Sequence, residues 1–485
     1  MTKREGSLRH SARSTRERPA AFASFVFVAF AAVVALAGGS SRFDMVQNVV
    51  LLPVGVLAAA LAWTQTRGVD WRPLGWPLAL LVLLALWIFL QLVPLPHSLW
   101  ASLPGHSAPA AVDAALSLDP ARPLTLSPER TLNDFFSLGV PIAAVLLFVA
   151  LRRHAVGFAF TAVVAIATSN ALLAVLQILS GGNRALYFYR LTSTGTPVGL
   201  FANPNHAAVL NTLVMVAVAV AIAIMPAEPK YRIRKIVLGA IYILLLLAAI
   251  AGTSRAGFLT ALLAVLATCA IFSRPFLQRR VGSGGKKGRV VVGIGAIVLI
   301  LLLGAFILTG RAPALEQLTG QDALGDIRFL VTPTLLEMIR SYFPFGSGFG
   351  TFQNVYYVAE SSQMLMPRYL NNAHNDWLQL AIEGGLPALL LLVGLLTVLG
   401  REMLRLWRER APSAVALVVG GGAGLLLVAL ASYVDYPLRT PIFQVVCVWL
   451  VCLLLTSARG PSHESDADHL SGFPNYSRHH MAVRN

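Results

Sequence analysis

The sequence has few charged residues and few cysteines. Charged residues make up 12% of the 485 positions, whereas 56% are hydrophobic, a balance that does not suit an ordinary soluble chain. The three cysteines lie inside apolar stretches and offer neither a disulfide framework nor a CxxC metal site. The chain also lacks a Walker A motif, which argues against ATP hydrolysis. These shortages together predict a polytopic membrane protein.

Apolar runs of about twenty residues recur from end to end of the chain. A bilayer core of about 30 Å needs about 20 helical residues to cross it, so each run predicts a transmembrane helix. The predicted fold is an all-α integral membrane protein with about twelve such helices. The predicted spans lie near 20–38, 45–64, 76–95, 138–151, 155–180, 206–225, 236–253, 256–273, 290–309, 377–399, 413–432 and 440–456.

Lys and Arg are unevenly distributed between the loops, and their excess gives a net charge of +16. They concentrate in alternate connections, and short basic loops stay in the cytoplasm because their translocation is disfavoured. We therefore expect a cytoplasmic basic N-terminus at 1–19 and a cytoplasmic tail at 457–485, whose polar composition predicts disorder. The longest external loop, 310–376, follows the ninth predicted span and is expected to face the periplasm.

Arg255 is the only charged residue between Ile236 and Ser273, in "AGTSRAGFLTALL". An ionised guanidinium at membrane depth is costly without a partner. One interpretation is a snorkelling anchor on a tight hairpin. The other is a group reserved for an anionic ligand at the outer membrane face, because the guanidinium fork matches phosphate oxygens in pairs.

Arg328 lies in a stretch whose apolar residues recur at helical spacing, which predicts an amphipathic helix on the membrane surface. Pro333 interrupts the pattern and predicts a bend or the start of a second helix. Arg340, in the same stretch, is interpreted as a solvated surface charge. The glycine run "PFGSGFGTF" that follows predicts a tight turn, which brings backbone close to a ligand or to a neighbouring helix.

His374 lies in the polar stretch "NNAHNDWLQLAIEGG", directly before an apolar helix. An imidazole titrates near neutral pH and can accept a proton from a hydroxyl, so His374 is a candidate general base; the alternative is an ordinary polar loop residue. Asn375 or Asp376 could cap the helix, and Asn375 is also a candidate for orienting substrate. Glu383, about two and a half turns further, needs a partner inside a span; it either orients a neighbour or binds substrate.

Asn203, Asn205 and His206 open another span in "LFANPNHAAVLNTL". They either cap its helix or form a polar lining for a glycan channel. Asp435, between the last two spans, is a candidate partner for one of the arginines. The DxD motif of the sequence lies in the predicted cytoplasmic tail, so no divalent metal at a pyrophosphate is predicted; cationic arginines would stabilise it instead.

Together, these motifs resemble the O-antigen ligase and O-antigen polymerase family. The resemblance rests on "SRAG" at the end of a hairpin, "NPNH" at the start of a span, and "HNDWLQLAIEGGLPALLL" after a long external loop. It defines an O-antigen ligase-like transmembrane domain at 199–456. The preceding helices, at 20–198, are similar to the family in hydropathy alone.

The resemblance implies a GT-C-type glycosyltransferase that needs no metal or other cofactor. Such enzymes transfer a glycan from undecaprenyl pyrophosphate to an acceptor sugar on the periplasmic side of the bacterial inner membrane. The acceptor would be lipid A-core or a growing polysaccharide, and nucleic acid is not an expected partner. The two essential arginines of the family correspond to Arg255 and Arg328, which would bind the pyrophosphate, and its essential histidine corresponds to His374. Attack opposite the leaving group would invert the anomeric centre.

A transporter or flippase without catalytic activity is the alternative function. Transporters usually place ionisable residues and broken helices near the bilayer midplane. The unusual polar residues of this chain are predicted to cluster at one membrane face, which favours an enzyme. The sequence leaves the glycan, the acceptor and the choice between ligase and polymerase open.

Overall fold

The computed structural model describes residues 21–41, 46–69, 71, 74–252, 254–277, 330–360 and 370–457. At positions 46–48, 255 and 274–277 the backbone alone is described. The predicted span at 290–309, the basic N-terminus, the tail from residue 458 and two parts of the predicted external loop, 310–329 with Arg328 and 361–369, lie outside the described residues.

Helices dominate the described ranges, because runs of Leu and Ala favour helix and because a membrane requires every backbone group to be paired internally. The α-helices are α1 (Ala21–Ala37), α2 (Val46–Thr64), α3 (Gly75–Gln91), α4 (His97–Ala101), α5 (Ser107–Ala115), α6 (Pro128–Ser137), α7 (Gly139–Ala150), α8 (Ala155–Leu179), α9 (Pro204–Ile224), α10 (Arg232–Ala251), α11 (Arg255–Leu277), α12 (Thr332–Tyr342), α13 (Phe352–Ala359), α14 (Asp376–Glu409), α15 (Pro412–Val434) and α16 (Pro441–Ser457).

Each predicted span apart from 290–309 falls on a described helix. Seven helical segments of the described ranges are long and apolar enough to cross a membrane, and four shorter helices are also apolar. On α14, Leu390 and Val393 are 60% and 57% exposed, as expected for side chains that face lipid. The helices therefore indicate a multi-pass membrane protein, and the number of spans stays a prediction.

A short β-ladder departs from the purely helical prediction. Strands β1 (Pro94–Leu95) and β2 (Arg122–Pro123) pair in antiparallel register between α3 and α6. Proline donates no backbone hydrogen bond, so neither strand gives a sequence signal for a ladder. The ladder closes the segment that also holds α4 and α5, and the helix of the predicted span at 76–95 ends early, at Gln91.

The bundle core joins both halves of the chain. Trp449 on α16 is fully buried, stacks on Phe27 of α1 with ring centroids 4.7 Å apart, and donates its indole N–H to the Ala144 carbonyl of α7 at 3.2 Å. Next to α1, a Cβ atom added to Gly39 would lie 1.9 Å from the Leu200 carbonyl. The end of α1 is therefore packed directly against the segment that leads into α9.

Helix α14 is broken near its first third. Gly385 has φ 61° and ψ −156°, and Pro387 follows it, so the carbonyls before the break lose their helical partners. Other groups satisfy them: Ser347 N–H donates to the Ile382 carbonyl at 2.8 Å, and the Trp87 indole donates to the Gly384 carbonyl at 2.8 Å. The break therefore creates a contact surface for α3 and for the glycine run.

Alternate loops meet at one end of the bundle. Ser41, after α1, accepts from the Asn372 amide at 3.4 Å, and Leu126 N–H donates to the Ser347 carbonyl at 3.0 Å. At another set of connections, the Arg152 guanidinium donates to the Arg67 carbonyl at 3.0 Å. The loops rich in acidic and amide side chains therefore contact one another in one group, and the basic loops contact one another in a second group. The predicted site residues lie in the first group.

Candidate functional site

Asp435 is the centre of a buried polar cluster at this end of the bundle. Its Oδ1 lies 3.5 Å from Nε2 of His206 and 3.5 Å from Nδ1 of His374. Its Oδ2 accepts hydrogen bonds from the side-chain amides of Asn203 at 3.2 Å and Asn205 at 2.6 Å. We name these five residues the Asp435 cluster; it joins the beginnings of α9 and α14 to the end of α15.

The cluster holds the Asp435 carboxyl in its ionised form. Burial alone would raise the pKa of this carboxyl, because a low-dielectric surrounding disfavours charge. The contacts with His206 and His374 act in the opposite direction and hold the pKa well below the usual 3.8. At neutral pH the carboxylate is therefore a negative charge placed against two imidazole rings.

His374 adopts an unusual backbone conformation, with φ +50°. A left-handed conformation is uncommon for a non-glycine residue and persists where the surrounding structure fixes it. On one side, Ala373 N–H donates to Oε1 of Gln379 at 2.9 Å. On the other, the Asn375 side chain accepts from two first-turn N–H groups of α14, each at 3.1 Å. The histidine is thus held at a fixed corner, and Asn375 is the predicted helix cap.

The His374 ring presents one nitrogen to the protein and the other to open space. Nδ1 is buried toward Asp435, whereas 22% of the side chain is exposed. The ring also packs edge-on against Tyr436, with centroids 4.8 Å apart. The 3.5 Å contact to Asp435 is longer than a hydrogen bond, as catalytic contacts often are without substrate. The arrangement leaves Nε2 as the accessible proton acceptor.

A second polar cluster surrounds Arg439, between α15 and α16. Its Nη2 lies 2.9 Å from Oε2 of Glu383, and its Nε lies 3.5 Å from Oδ1 of Asp376. Burial alone would lower the pKa of Arg439, but these carboxyls raise it above its usual value. Asp376 also accepts from the Ser432 hydroxyl at 2.9 Å. The partner that Glu383 requires inside a span is therefore Arg439.

Glu383 also fixes the glycine run. Its carboxylate accepts from Phe352 N–H at 3.1 Å and from the Gln379 amide at 3.2 Å, and its carbonyl accepts from Gly348 N–H at 3.1 Å. At Gly346, which has φ 80°, an added Cβ would lie 2.4 Å from the same carbonyl. The predicted close approach of the glycine run to a neighbouring helix is confirmed, and of the two roles predicted for Glu383 these contacts support orientation.

Two cavities adjoin the clusters. The larger, of about 370 Å³, is lined by Asn203, His206 and Tyr436 among other residues, and so lies beside the Asp435 cluster. The smaller, of about 140 Å³, adjoins Arg439 and Glu383. Both reach the same wall, formed by Ser40, Ser41 and Asn371. Asn203 also caps α9 by accepting from Asn205 N–H at 2.9 Å, as predicted, whereas a glycan channel stays a prediction.

Arg255 is the first residue of α11, and its side chain lies outside the description. Ser254 caps this helix by accepting from Gly257 N–H at 2.8 Å. A Cβ atom added to Gly257 would lie 2.6 Å from the Ala208 methyl group in the first turn of α9. The backbone of Arg255 is therefore close to the helix start that supplies Asn203 to the Asp435 cluster.

The other arginines of the prediction fall on or near α12. Arg328 lies outside the described residues, whereas Arg340 is exposed on α12, as predicted. Pro333 lies in the first turn of α12, so the predicted helix start is confirmed there. Asp435 was expected to pair with an arginine; its described contacts are instead the imidazoles and amides of its cluster. A contact with Arg255 or Arg328 stays a prediction.

Several polar residues of the site are absent from the sequence-based prediction. Arg439 lies only four residues after Asp435, in "SYVDYPLRTP", and reads as an ordinary loop charge. Arg130 and Asp134 lie on α6, near the start of an apolar helix, and line the smaller cavity. Of these residues, only Arg439 could have been predicted from the sequence. A glutamate inside a span requires a cationic partner, and a loop next to the spans can supply one.

The fold and these clusters define a multi-pass membrane protein with a buried acid–histidine site at one end of its helical bundle. Residues 240–393 match the sequence model of a family described as O-antigen ligase. The matched segment contains Arg255, Arg328, the glycine run, His374 and Glu383. This match confirms the resemblance to the O-antigen ligase and polymerase family predicted from the motifs. Among curated proteins, none matches the chain.

Proposed function

We propose that this protein transfers a glycan from an undecaprenyl-pyrophosphate carrier to an acceptor sugar on the periplasmic side of the inner membrane. It would act as an O-antigen ligase or as a polysaccharide polymerase. The family match supports this type of activity in general. The donor, the membrane side and the mechanism are our inference from the site.

The observation that carries the proposal is the pair formed by His374 and Asp435. A carboxylate 3.5 Å from Nδ1 orients the imidazole and stabilises the imidazolium that forms when Nε2 accepts a proton. The strained backbone of His374 fixes the ring at the end of the bundle where the cavities lie. Such a group is suited to general-base catalysis on a hydroxyl.

The proposed reaction is a single displacement. The acceptor hydroxyl gives its proton to Nε2 of His374 while its oxygen forms a bond to the anomeric carbon of the donor. The bond between this carbon and the pyrophosphate oxygen breaks, and its electron pair leaves with the pyrophosphate. Because attack and departure occur on opposite faces, the anomeric centre is inverted. No nucleotide is needed, since the carrier link already activates the sugar.

Arg255 and Arg328 are the proposed partners of the leaving pyrophosphate. The backbone of Arg255 lies beside α9, whose Asn203 lines the larger cavity. Arg328 precedes Val331 by three residues, a reach of at most about 11 Å. Val331 packs in one apolar cluster with Ala373, the neighbour of His374. Guanidinium groups at these positions would stabilise the charge that develops on the leaving group without a metal ion.

The alternative function, a transporter or flippase, is less well supported by the site. A transporter needs a binding site near the midplane that can open to either side. The Asp435 cluster lies instead at helix beginnings and ends, where α9 and α14 start and α15 stops. Its carboxylate, imidazoles and amides contact each other, which suits proton transfer at one face.

A direct test uses the purified protein in detergent with an undecaprenyl-pyrophosphate glycan and candidate acceptors. We expect a new glycosidic bond, released undecaprenyl pyrophosphate and full activity in EDTA. In proteoliposomes, movement of the donor across the bilayer without bond formation would support the transporter instead. Loss of activity on chelation, restored by a divalent ion, would contradict the metal-free mechanism.

A further inference from the structure

The smaller cavity adjoins the stretch that leads to His374, because Asn371 and Asn372 line it. Its volume is about 140 Å³. Its wall carries Arg130 and Asp134 from α6, Glu383 from α14 and Arg439 before α16. Serine, asparagine and glutamine side chains also line it, together with apolar residues such as Leu51, Leu52 and Phe352.

The charged groups of this wall balance each other. Among its described residues, two guanidinium groups face two carboxyl groups, and Asp134 interacts electrostatically with Glu383, Arg439 and Arg130. Because these charges balance, the wall offers a phosphate no net attraction. A neutral ligand rich in hydroxyl groups would meet donors and acceptors on every side, because carboxylates accept from hydroxyls while amides and guanidiniums donate to their oxygens.

The position of the smaller cavity separates it from Arg255, one of the two proposed pyrophosphate residues. The larger cavity lies on the side of α9, where Arg255 begins the neighbouring α11. The smaller cavity shares Ser40, Ser41 and Asn371 with the larger one, and its lining includes residues of α6 and α13 but, among the described residues, none of α9. In the proposed reaction the base lies between the acceptor and the donor. We therefore assign the cavity farther from Arg255 to the acceptor.

The wall also draws on parts of the chain outside the family match. Arg130, Asp134 and Arg439 lie outside residues 240–393, whereas Glu383 lies within them. A Cβ atom added to Gly350 would lie 3.2 Å from Cγ of Asp134, so the last glycine of the run leaves room beside this carboxyl. The matched segment supplies His374 and Glu383, and the remaining helices supply side chains of the wall that can differ with the glycan.

We propose that the smaller cavity binds the terminal sugar ring of the acceptor, with Asp134 as a hydrogen-bond acceptor for its hydroxyls. This inference rests on the proposed glycan transfer. Asp134 is a specificity-determining residue here and takes no part in proton transfer. Its carboxylate can accept two hydroxyl hydrogen bonds, and an amide in its place keeps one acceptor oxygen and presents donors instead.

The test is a steady-state transfer assay with the full-length Asp134→Asn protein, with acceptor and donor titrated separately. We expect the acceptor KM to rise on the order of 10-fold, as for one lost hydrogen bond. The donor KM and kcat should change less than about 3-fold, because the reacting atoms lie elsewhere. Glu337→Gln, the same kind of change at an exposed position of α12, is the matched control and should leave all three values unaltered.

A second measurement does not depend on turnover. A delipidated oligosaccharide from the surface glycans of the source cells should raise the thermal unfolding midpoint of wild type and of His374→Ala in a saturable way, and should fail to do so for Asp134→Asn. If Asp134→Asn proves unfolded, Asn133→Ala takes its place in this measurement. It changes a neutral residue of the same wall and should weaken the stabilisation. Transfer with an unchanged acceptor KM in both variants would overturn the acceptor site alone. Saturable binding without transfer by wild type would overturn the proposed function alone.

Discussion

At the scale of single residues, the site consists of one carboxylate that fixes two imidazoles. Asp435 is 2% exposed and contacts both His206 and His374. A buried carboxylate is costly unless it is paired, so the contacts with the histidines and asparagines are needed for the charge to persist. The same charge lies 3.5 Å from Nδ1 of His374, where it would stabilise the imidazolium of the proposed reaction.

Asp435→Asn removes this charge and keeps the shape of the side chain. We expect transfer to fall on the order of 10²-fold, because the imidazolium loses its stabilising partner. Folding stability should respond to pH in a defined way. The pKa of Asp435 is depressed in the folded protein, so its contribution is present above pH 3.8 and is lost as pH falls through the lower folded value.

The unfolding midpoint, measured from pH 7 down to pH 3, therefore tests the ionisation of this residue. Wild type should gain stability over Asp435→Asn above pH 3.8, and the difference should shrink at the acid end. Glu337→Gln serves as the exposed control, with no change across the range. A difference between wild type and Asp435→Asn that grows toward low pH would contradict the depressed pKa.

Arg255→Lys and Arg328→Lys test the proposed pyrophosphate contacts. A lysine keeps the charge and loses the paired hydrogen bonds of the guanidinium fork. We expect each variant to lose most of its glycan product, whereas Arg340→Ala should retain it, because Arg340 is exposed on α12. Product is quantified from cells that make equal amounts of each variant. Wild-type output from both lysine variants would argue against the assignment.

At the scale of structural elements, the break in α14 positions the site. Backbone N–H groups of the glycine run donate to carbonyls that lack a helical partner because of the break at Gly385. The Glu383 carboxylate also accepts a hydrogen bond from a backbone N–H at the end of the run. This contact fixes the beginning of α14, where His374 and Asn375 lie. The element therefore connects the membrane-embedded part of α14 to the catalytic end.

Gly346→Ala should disrupt this contact. The added methyl would lie 2.4 Å from the Glu383 carbonyl, and the positive φ of 80° strains any side chain. We expect a loss of about 2 kcal/mol or more in stability, read as a lower unfolding midpoint in detergent, together with reduced transfer. Gly239→Ala, inside α10 where nothing lies within 4 Å of the new methyl, should be neutral or slightly stabilising. Equal midpoints for the two variants would refute the packing argument.

At the scale of the whole molecule, the alternation of basic and polar loops predicts which end faces the periplasm. Ser117, an exposed residue before β2, and Glu228, 52% exposed between α9 and α10, lie on loops of opposite predicted sidedness. With cysteine at Ser117, an impermeant thiol reagent should label intact cells; with cysteine at Glu228, it should label only after permeabilisation. The reverse pattern would invert the topology.

The sequence predicts the helices well and the pairings poorly, for a physical reason. Apolar runs and caps are local, so the start of α9 at Pro204 and the cap at Asn375 could be read directly. The contact between His374 and Asp435 joins residues that are separated by most of two helices, and no periodicity encodes it. In the sequence Arg439 looks like an ordinary loop charge, because its contact with Glu383 of α14 forms only in the folded protein.

The central claim is that His374 is the general base of a glycan transfer. The most direct measurement is single-turnover transfer by purified His374→Ala in detergent with saturating donor and EDTA, beside a measurement of donor binding. General-base catalysis contributes about 10²–10⁴-fold, so the account predicts a rate lower by that factor, with donor binding retained because the pyrophosphate contacts come from the arginines. Near-normal turnover by a folded His374→Ala protein would contradict it.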